Sequence, residues 1–307
     1  MSKFKVAVVQ AAPVVLDSVG TTDKVCRLIQ QAAHEEARLV LFPEALIPAY
    51  PRGLSFGTVV GNRSEAGRRA YARYWDNAVE IPGPVTQAIG EATAQAGLYV
   101  AVGVIERESR YRGGTLYCTL LYFGPDGRIL GKHRKLKPTG AERLIWGDGD
   151  GSTLCAFETE IGTIGGLICW ENYMPLARMA MYQKGVDLYL APTADARDTW
   201  QATIQHIACE GRCFVLSANQ YVTQEMMPSD WETAAASDAA EPVLCRGGSA
   251  IVGPLGHYLA GPLYDQEGVL MAELDLDLIK QARFDFDVVG HYNRPDVFRL
   301  IVNESPP

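Results

Sequence analysis

Short β-branched runs, each followed by a stretch of helical period, recur along this chain, and that alternation restricts it to α/β layers. FKVAVVQ (4–10) reads as a buried strand, and TTDKVCRLIQQAAHEEA, from Thr21, as a helix with Val25, Leu28, Ile29 and Ala32 on one face. RLVLF (38–42) is a second buried strand, stopping at Pro43. A helix is expected from Pro84, where proline suits the first turn, to Gly97, with a strand over LYVAVGVI (98–105) after it. The sheet is not purely parallel. GPDG (124–127) joins TLYCTLLYF to RILGKHRK as a hairpin, and a second hairpin centres on Thr159 to Gly162. VDLYLAPT (186–193), a helix from about Thr199 to Gly211, and CFVLSANQ (213–220) repeat the strand–helix–strand theme. GGSAIVGPLG and VLMAELDLD complete the set as two last strands.

A chain of 307 residues can bury a large core without disulfides or metal. No repeat or linker divides it, so a single domain is expected over 1–307, with the residues from about 285 onward as an extended tail. The polar, Ala/Ser-rich segment at about 224–242 has the composition of an exposed insertion. The formal net charge of −8, with acidic residues spread along the chain, argues against a nucleic-acid binder and against a polybasic membrane anchor. No apolar run approaches the roughly 20 residues needed to span a bilayer. Seven cysteines in no dense framework, and an N-terminus without the apolar stretch of a signal peptide, point to a reducing cytoplasm.

Ligand sites in α/β proteins gather where strands end and loops begin. Reactive groups stand at several such ends: Glu44 after LVLFP, Lys135 after GKHR, Glu142 in the Gly-rich loop that follows, and Cys169 after GGLI. Each has an ordinary alternative. Glu44 fits a solvated loop acid or helix cap, and Lys135 fits a solvated basic face with Lys132, His133, Arg134 and Lys137. Glu142 fits an acceptor for loop amides, and Cys169 a small core hydrophobe.

Together they form a chemical set. A carboxylate can take a thiol's proton while an ammonium favours the thiolate. Pro175 is a natural first residue of a helix, which places Cys169 a few residues upstream of a positive helix end. A carboxylate base works best when burial raises its pKa, and a lysine beside a backbone N–H stabilises charge on the attacked atom. Cys, Glu and Lys therefore suffice to attack a carbon multiply bonded to nitrogen or oxygen, with no metal and no cofactor. Two competitors are weaker. His206, Cys209 and Cys213 fall at helical spacings of three and four, yet a structural zinc site needs four ligands and no second cluster is evident, so a packed helix face is preferred. A Cys–His protease would leave the Glu/Lys pair without a role.

Three motifs stand in order along the chain: FPEALIPAYP around Glu44, HRKLKPTGAERLIWGDGDG around Lys135 and Glu142, and GGLICWENYMPLAR around Cys169. Through them, and over nearly its whole length, the chain resembles the nitrilase branch of the carbon–nitrogen hydrolase superfamily. The resemblance implies a four-layer α-β-β-α sandwich that pairs with a second subunit, and so a homo-oligomer built from dimers. It also implies Cys169 as nucleophile, Glu44 as general base, Lys135 as charge stabiliser, and Glu142 as a second glutamate that positions the lysine and the substrate. The implied substrate is a small-molecule nitrile, hydrolysed to the acid and ammonia through a thioimidate and a thioester. An amidase or carbamoylase, or a cyanide-degrading enzyme, would use the same residues. A non-catalytic protein binding a partner through the 220–246 loop is the reading from a different class. Candidate pocket residues are Trp170 and Tyr173 beside the nucleophile, Tyr50 after Glu44, Trp146 in the Gly-rich loop and Thr193 at the end of LYLAPT, with core packing as the alternative for the aromatic ones.

Overall fold

In the computed structural model, residues 3–108, 113–229 and 242–306 are described. The chain opens with strand β1 (Lys3–Gln10), helix α1 (Ser18–His34) and strand β2 (Ala37–Leu41). Asp17 caps α1 by accepting from the Gly20 amide at 2.8 Å, which supplies an acceptor to one of the unpaired first-turn amides. After α2 (Glu65–Asp76) comes α3 (Pro84–Ala96), which begins on Pro84 and ends where Gly97 turns left-handed at φ 65°. Strands β3 (Tyr99–Arg107), β4 (Leu116–Phe123) and β5 (Ile129–Arg134) follow, with β4 and β5 paired as the expected hairpin. Next are the hairpin β6 (Ala156–Thr159) and β7 (Gly162–Gly166), helix α4 (Pro175–Gln183), β8 (Leu188–Leu190), α5 (Asp198–Gly211) and β9 (Phe214–Ser217). The remainder comprises β10 (Tyr221–Thr223), β11 (Val243–Val252), β12 (Tyr258–Tyr264), β13 (Gly268–Asp275) and α6 (Asp277–Asp285).

These strands form two mixed sheets. One runs β13-β1-β2-β3-β4-β5, the other β10-β11-β9-β8-β7-β6 with β12 paired to β11. Alternation along each strand builds the layers. Val6, Val8, Leu39 and Leu41 of the first sheet meet Ile164, Leu188, Leu190 and Leu216 of the second in one buried core between the sheets. The intervening residues Ala7, Val9, Val40 and Phe42 face outward, against Val25, Ile29 and Ala32 of α1 and Ile89 and Ala92 of α3. On the other side Tyr189, Val215, Ala250 and Val252 pack against Met181 of α4 and Trp200, Ile204 and Ile207 of α5. This is the four-layer α-β-β-α sandwich.

Several features depart from the sequence expectations. Helix α2 is largely polar, and only Gly67 and Tyr74 of its twelve residues are buried, so no buried apolar run announces it. Strand β12 contains Gly261 and Pro262, which weaken any strand reading; it survives at the rim by pairing with β11 alone. Helix α6, with Ile279 and Ala282 buried, was also not anticipated. The basic cluster is not a solvated face: Lys132 and Arg134 pair with buried Glu106, and His133 is itself buried. Helix α5 ends at Gly211 and Arg212 turns left-handed, so Cys213 lies off the helix face that would have carried His206 and Cys209. Beyond Asp285 no further helix or strand forms among the described residues, and Val288, Val289 and Val302 pack back on the core. Of the expected insertion at 224–242, residues 230–241 lie outside the described residues.

Candidate active site

Glu44, Lys135 and Cys169, far apart in sequence, converge where strands of both sheets end. Glu44 follows β2, and its backbone passes directly over Gly103 of β3. A Cβ at Gly103 would lie 2.2 Å from the Pro43 carbonyl oxygen and 2.7 Å from the Glu44 Cα, so only glycine admits this path. Gln220 Nε2 donates to the Glu44 carbonyl at 2.8 Å and fixes it from the opposite sheet. The carboxylate is fully buried. Its Oε1 accepts from Lys135 Nζ at 2.6 Å and from the Cys118 thiol at 3.5 Å. Oε2 has no hydrogen-bond partner among the described residues.

Lys135 is the residue after β5. Its amide donates to the Cys118 carbonyl and its carbonyl accepts from Gly149, each at 2.8 Å. The ammonium bridges Glu44 Oε1 and Glu142 Oε2, the latter at 2.8 Å. Glu142 lies in a short 3₁₀ turn (Gly140–Leu144) and is held by donors on both oxygens, Tyr50 OH on Oε1 and the Thr139 amide on Oε2, each at 2.6 Å. Trp146 stands edge-on to Tyr50, with ring centroids 5.7 Å apart.

Cys169 opens a 3₁₀ turn (Cys169–Tyr173) between β7 and α4, and Pro175 begins α4 as expected. Its φ of 51° is left-handed, an unfavourable region for a residue with a side chain, and the surroundings enforce it. The Cys169 amide donates to the Pro192 carbonyl at 2.8 Å, and Asn172 Nδ2 donates to the Cys169 carbonyl at 2.8 Å. Asn172 is clamped in turn by Tyr189 OH at 2.9 Å. Thr193 Oγ1 lies 3.2 Å from Cys169 Sγ.

Burial dominates the electrostatics. It raises the Glu44 pKa above its ordinary value, a shift moderated by the Lys135 charge and reinforced by Glu142. Burial alone would discharge Lys135, but the Glu44 charge leads the effects that outweigh it and hold the ammonium well above the usual lysine range. The Cys169 thiol is pushed up to about 12, first by burial and then by the Glu44 charge, with Lys135 and Thr193 pulling it back. The geometry therefore holds a protonated thiol next to a carboxylate of raised basicity and a permanent cation.

A cavity of about 180 Å³ opens onto the sulfur, lined by Tyr50, Thr139, Glu142, Cys169, Trp170, Ala194, Asp195 and Arg197. Of the candidate pocket residues, Tyr50 and Trp170 are in this lining. Thr193 is buried behind the sulfur, and Trp146 is buried against Tyr50. Tyr173 is not in the lining: it is half-exposed, stands edge-on to Trp170 with ring centroids 5.5 Å apart, and has Thr203 Oγ1 3.2 Å from its hydroxyl. Asp195 and Arg197 escaped the sequence reading. Asp195 accepts from Trp170 Nε1 at 2.8 Å and pairs with Arg197 at 2.6 Å, so the two fix the indole at the cavity mouth. The signal that singled out Glu44, a charged residue just past a buried strand, is also present in LYLAPTADAR. Among the described residues no cluster of three or more His, Cys, Asp or Glu is placed to hold a metal ion.

A buried cysteine, glutamate and lysine thus stand together at the strand ends of an α-β-β-α sandwich. The carbon-nitrogen hydrolase family profile matches residues 5–284. An aliphatic nitrilase of Sinorhizobium fredii is 55% identical over 306 residues, covering 100% of this chain and 97% of the relative. A bifunctional nitrilase/nitrile hydratase of Lupinus angustifolius is 50% identical, covering 98% of this chain and 86% of the relative. The crystal structure of a carbon-nitrogen hydrolase from Helicobacter pylori superposes with a TM-score of 0.74 at 20% identity, covering 97% of each chain. The chain belongs to the carbon–nitrogen hydrolase family.

Proposed function

We infer that this protein is a nitrilase that converts an organic nitrile and two waters to a carboxylic acid and ammonia. The observation that carries the chemistry is that buried Glu44 lies close enough to Cys169 for the two side chains to interact and keeps Oε2 without a hydrogen-bond partner among the described residues, while Oε1 is occupied by Lys135. Glu44 takes the Cys169 thiol proton, and the sulfur attacks the nitrile carbon. That proton passes to nitrogen, giving a thioimidate. Glu44 next deprotonates a water that adds to the same carbon; the carbon–nitrogen bond breaks, ammonia leaves and a thioester remains. A second water, activated in the same way, releases the acid and returns the thiol. Charge developing on the attacked group meets the Lys135 ammonium. It also meets the Trp170 amide, which sits in the first turn after Cys169, where N–H groups lack intrahelical acceptors. Glu142 and Tyr50 hold the ammonium in register.

The nitrilase names of relatives at about half identity support a nitrile over an amide as the substrate. Ammonia release by the purified protein from a panel of nitriles and their matching amides tests this. Release from nitriles with little free amide is expected. Activity on amides alone would make the protein an amidase or carbamoylase, and turnover of cyanide itself a cyanide-degrading enzyme. A homo-oligomer built from dimers belongs to the same reading, supported by the exposed Phe284, Tyr292, Phe298 and Ile301 near the C-terminus and tested by analytical ultracentrifugation. So does a cytoplasmic location, supported by seven free cysteines and tested by fractionation. No helix among the described residues is long and apolar enough to cross a membrane.

A further inference from the structure

The CWE sequence contains a further acid, Glu171, that the chemistry above does not use. Its side chain is fully buried and joins the two sheets at the site. Oε1 accepts from the Leu136 amide at 2.6 Å, and Oε2 from the Ile168 amide at 2.8 Å. Leu136 is the residue after Lys135, and Ile168 the residue before Cys169. The carboxylate thus ties the backbone that carries the ammonium to the backbone that carries the thiol, across the gap between β5 and β7.

His133 completes the arrangement from the strand that delivers Lys135. Its Nε2 lies 3.0 Å from Glu171 Oε2 and 3.2 Å from Oε1, and its Nδ1 lies 3.1 Å from the Thr153 carbonyl oxygen. Both ring nitrogens face acceptors, so both carry protons and the ring is a cation. The direction of its titration agrees: burial disfavours the charge, but Glu171 outweighs it and raises the pKa.

We propose that Glu171 is a positioning residue of the hydrolase: it sets the separation between Lys135 and Cys169 by binding the two adjoining backbone amides, with His133 as its buried counter-charge. It touches neither substrate nor reacting atoms. The proposal rests on the roles assigned to Cys169 and Lys135 above.

The test uses Glu171→Gln and Glu171→Asp. Glutamine is isosteric but has one acceptor oxygen, so one of the two amides must face an NH₂ group. Aspartate keeps the charge opposite His133, yet is one methylene too short to hold both amides, and it keeps the proposal testable should the glutamine variant not fold. Each is assayed for nitrile turnover and, independently of any substrate, for the rate at which iodoacetamide alkylates Cys169, followed by peptide mass. A displacement near 1 Å costs about 10²-fold, so kcat is expected to fall by about that factor with KM little changed, and alkylation of Cys169 to slow in parallel. A folded variant of either kind with wild-type kcat and a wild-type alkylation rate would overturn the proposal. So would a loss of activity that appears only in KM or only as unfolding. If the wild type turns over no nitrile, the nitrilase reading fails. The alkylation rate then decides the role of Glu171 alone, slowing in the variants supporting it and an unchanged rate refuting it.

Discussion

Thr193 Oγ1 lies 3.2 Å from Cys169 Sγ and 3.0 Å from the Asp195 amide nitrogen. The amide donates to the hydroxyl, so the hydroxyl proton is directed at the sulfur, where it favours the thiolate. Replacing Thr193 with Val removes that donor and keeps the shape. About tenfold lower kcat is expected, with Thr193→Ser near wild type, because a hydrogen bond to a charged group is worth roughly 1.5 kcal/mol or more. Equal activity of the two variants would show that the contact is packing only.

Cys169→Ala should abolish ammonia release while circular dichroism and Tm stay close to wild type, since the side chain loses only its sulfur. Continued turnover in that variant would remove the assigned nucleophile.

Glu44→Gln keeps the volume and loses the base. A loss of about 10²–10⁴-fold in kcat is expected, the usual range for a positioned general base. Single-turnover measurements should show both the attack and the hydrolysis of the thioester slowed, because the same carboxylate serves both.

Lys135→Arg retains charge but not shape. A planar guanidinium cannot occupy the point between Glu44 Oε1 and Glu142 Oε2, which are 2.6 Å and 2.8 Å from Nζ. Turnover should fall by about 10²-fold or more, as for loss of a charge-stabilising donor, even though the net charge is unchanged.

The pH profile has a defined sign. Glu44 works as a base only when ionised, and burial raises its pKa above the ordinary 4.5. Activity should therefore rise with pH along an acid limb displaced upward from the ordinary carboxylate range. A profile that stayed flat down into that range would contradict the assignment.

Glu106 offers a stability test away from the cavity. Burial works against its charge, but Arg134 and Lys132 win and hold its pKa below the ordinary value. The stability this gives is complete above the unfolded carboxylate pKa of about 4.3 and is lost as pH falls through the lower folded value. Glu106→Gln leaves two cations facing an amide and should cost about 3 kcal/mol near neutrality, with the gap in Tm from wild type closing in acid.

Much of this was legible in the sequence because it depends on local patterning. The period-2 and helical runs, Pro84 and Gly97 at the ends of α3, the GPDG turn and Pro175 each act within a few residues. Motif order was enough to pick out Glu44, Lys135, Glu142 and Cys169 as one chemical set. Composition could not reveal α2, which is largely polar and buries only Gly67 and Tyr74, or β12, which carries Gly261 and Pro262.

What only the tertiary structure decided is where buried charge resides. The basic run from Lys132 to Lys135 reads as a solvated face, yet all four of its members are committed to carboxylates brought from β3, the 44 region, the 142 turn and the 171 turn. The left-handed Cys169, the threonine behind its sulfur and the carboxylate tie through Glu171 follow from the meeting of two sheets. Sequence determines which groups are available and which face of each strand they occupy. Pairing across the gap between sheets, and the desolvation that sets each pKa, exist only once both sheets have closed over the site.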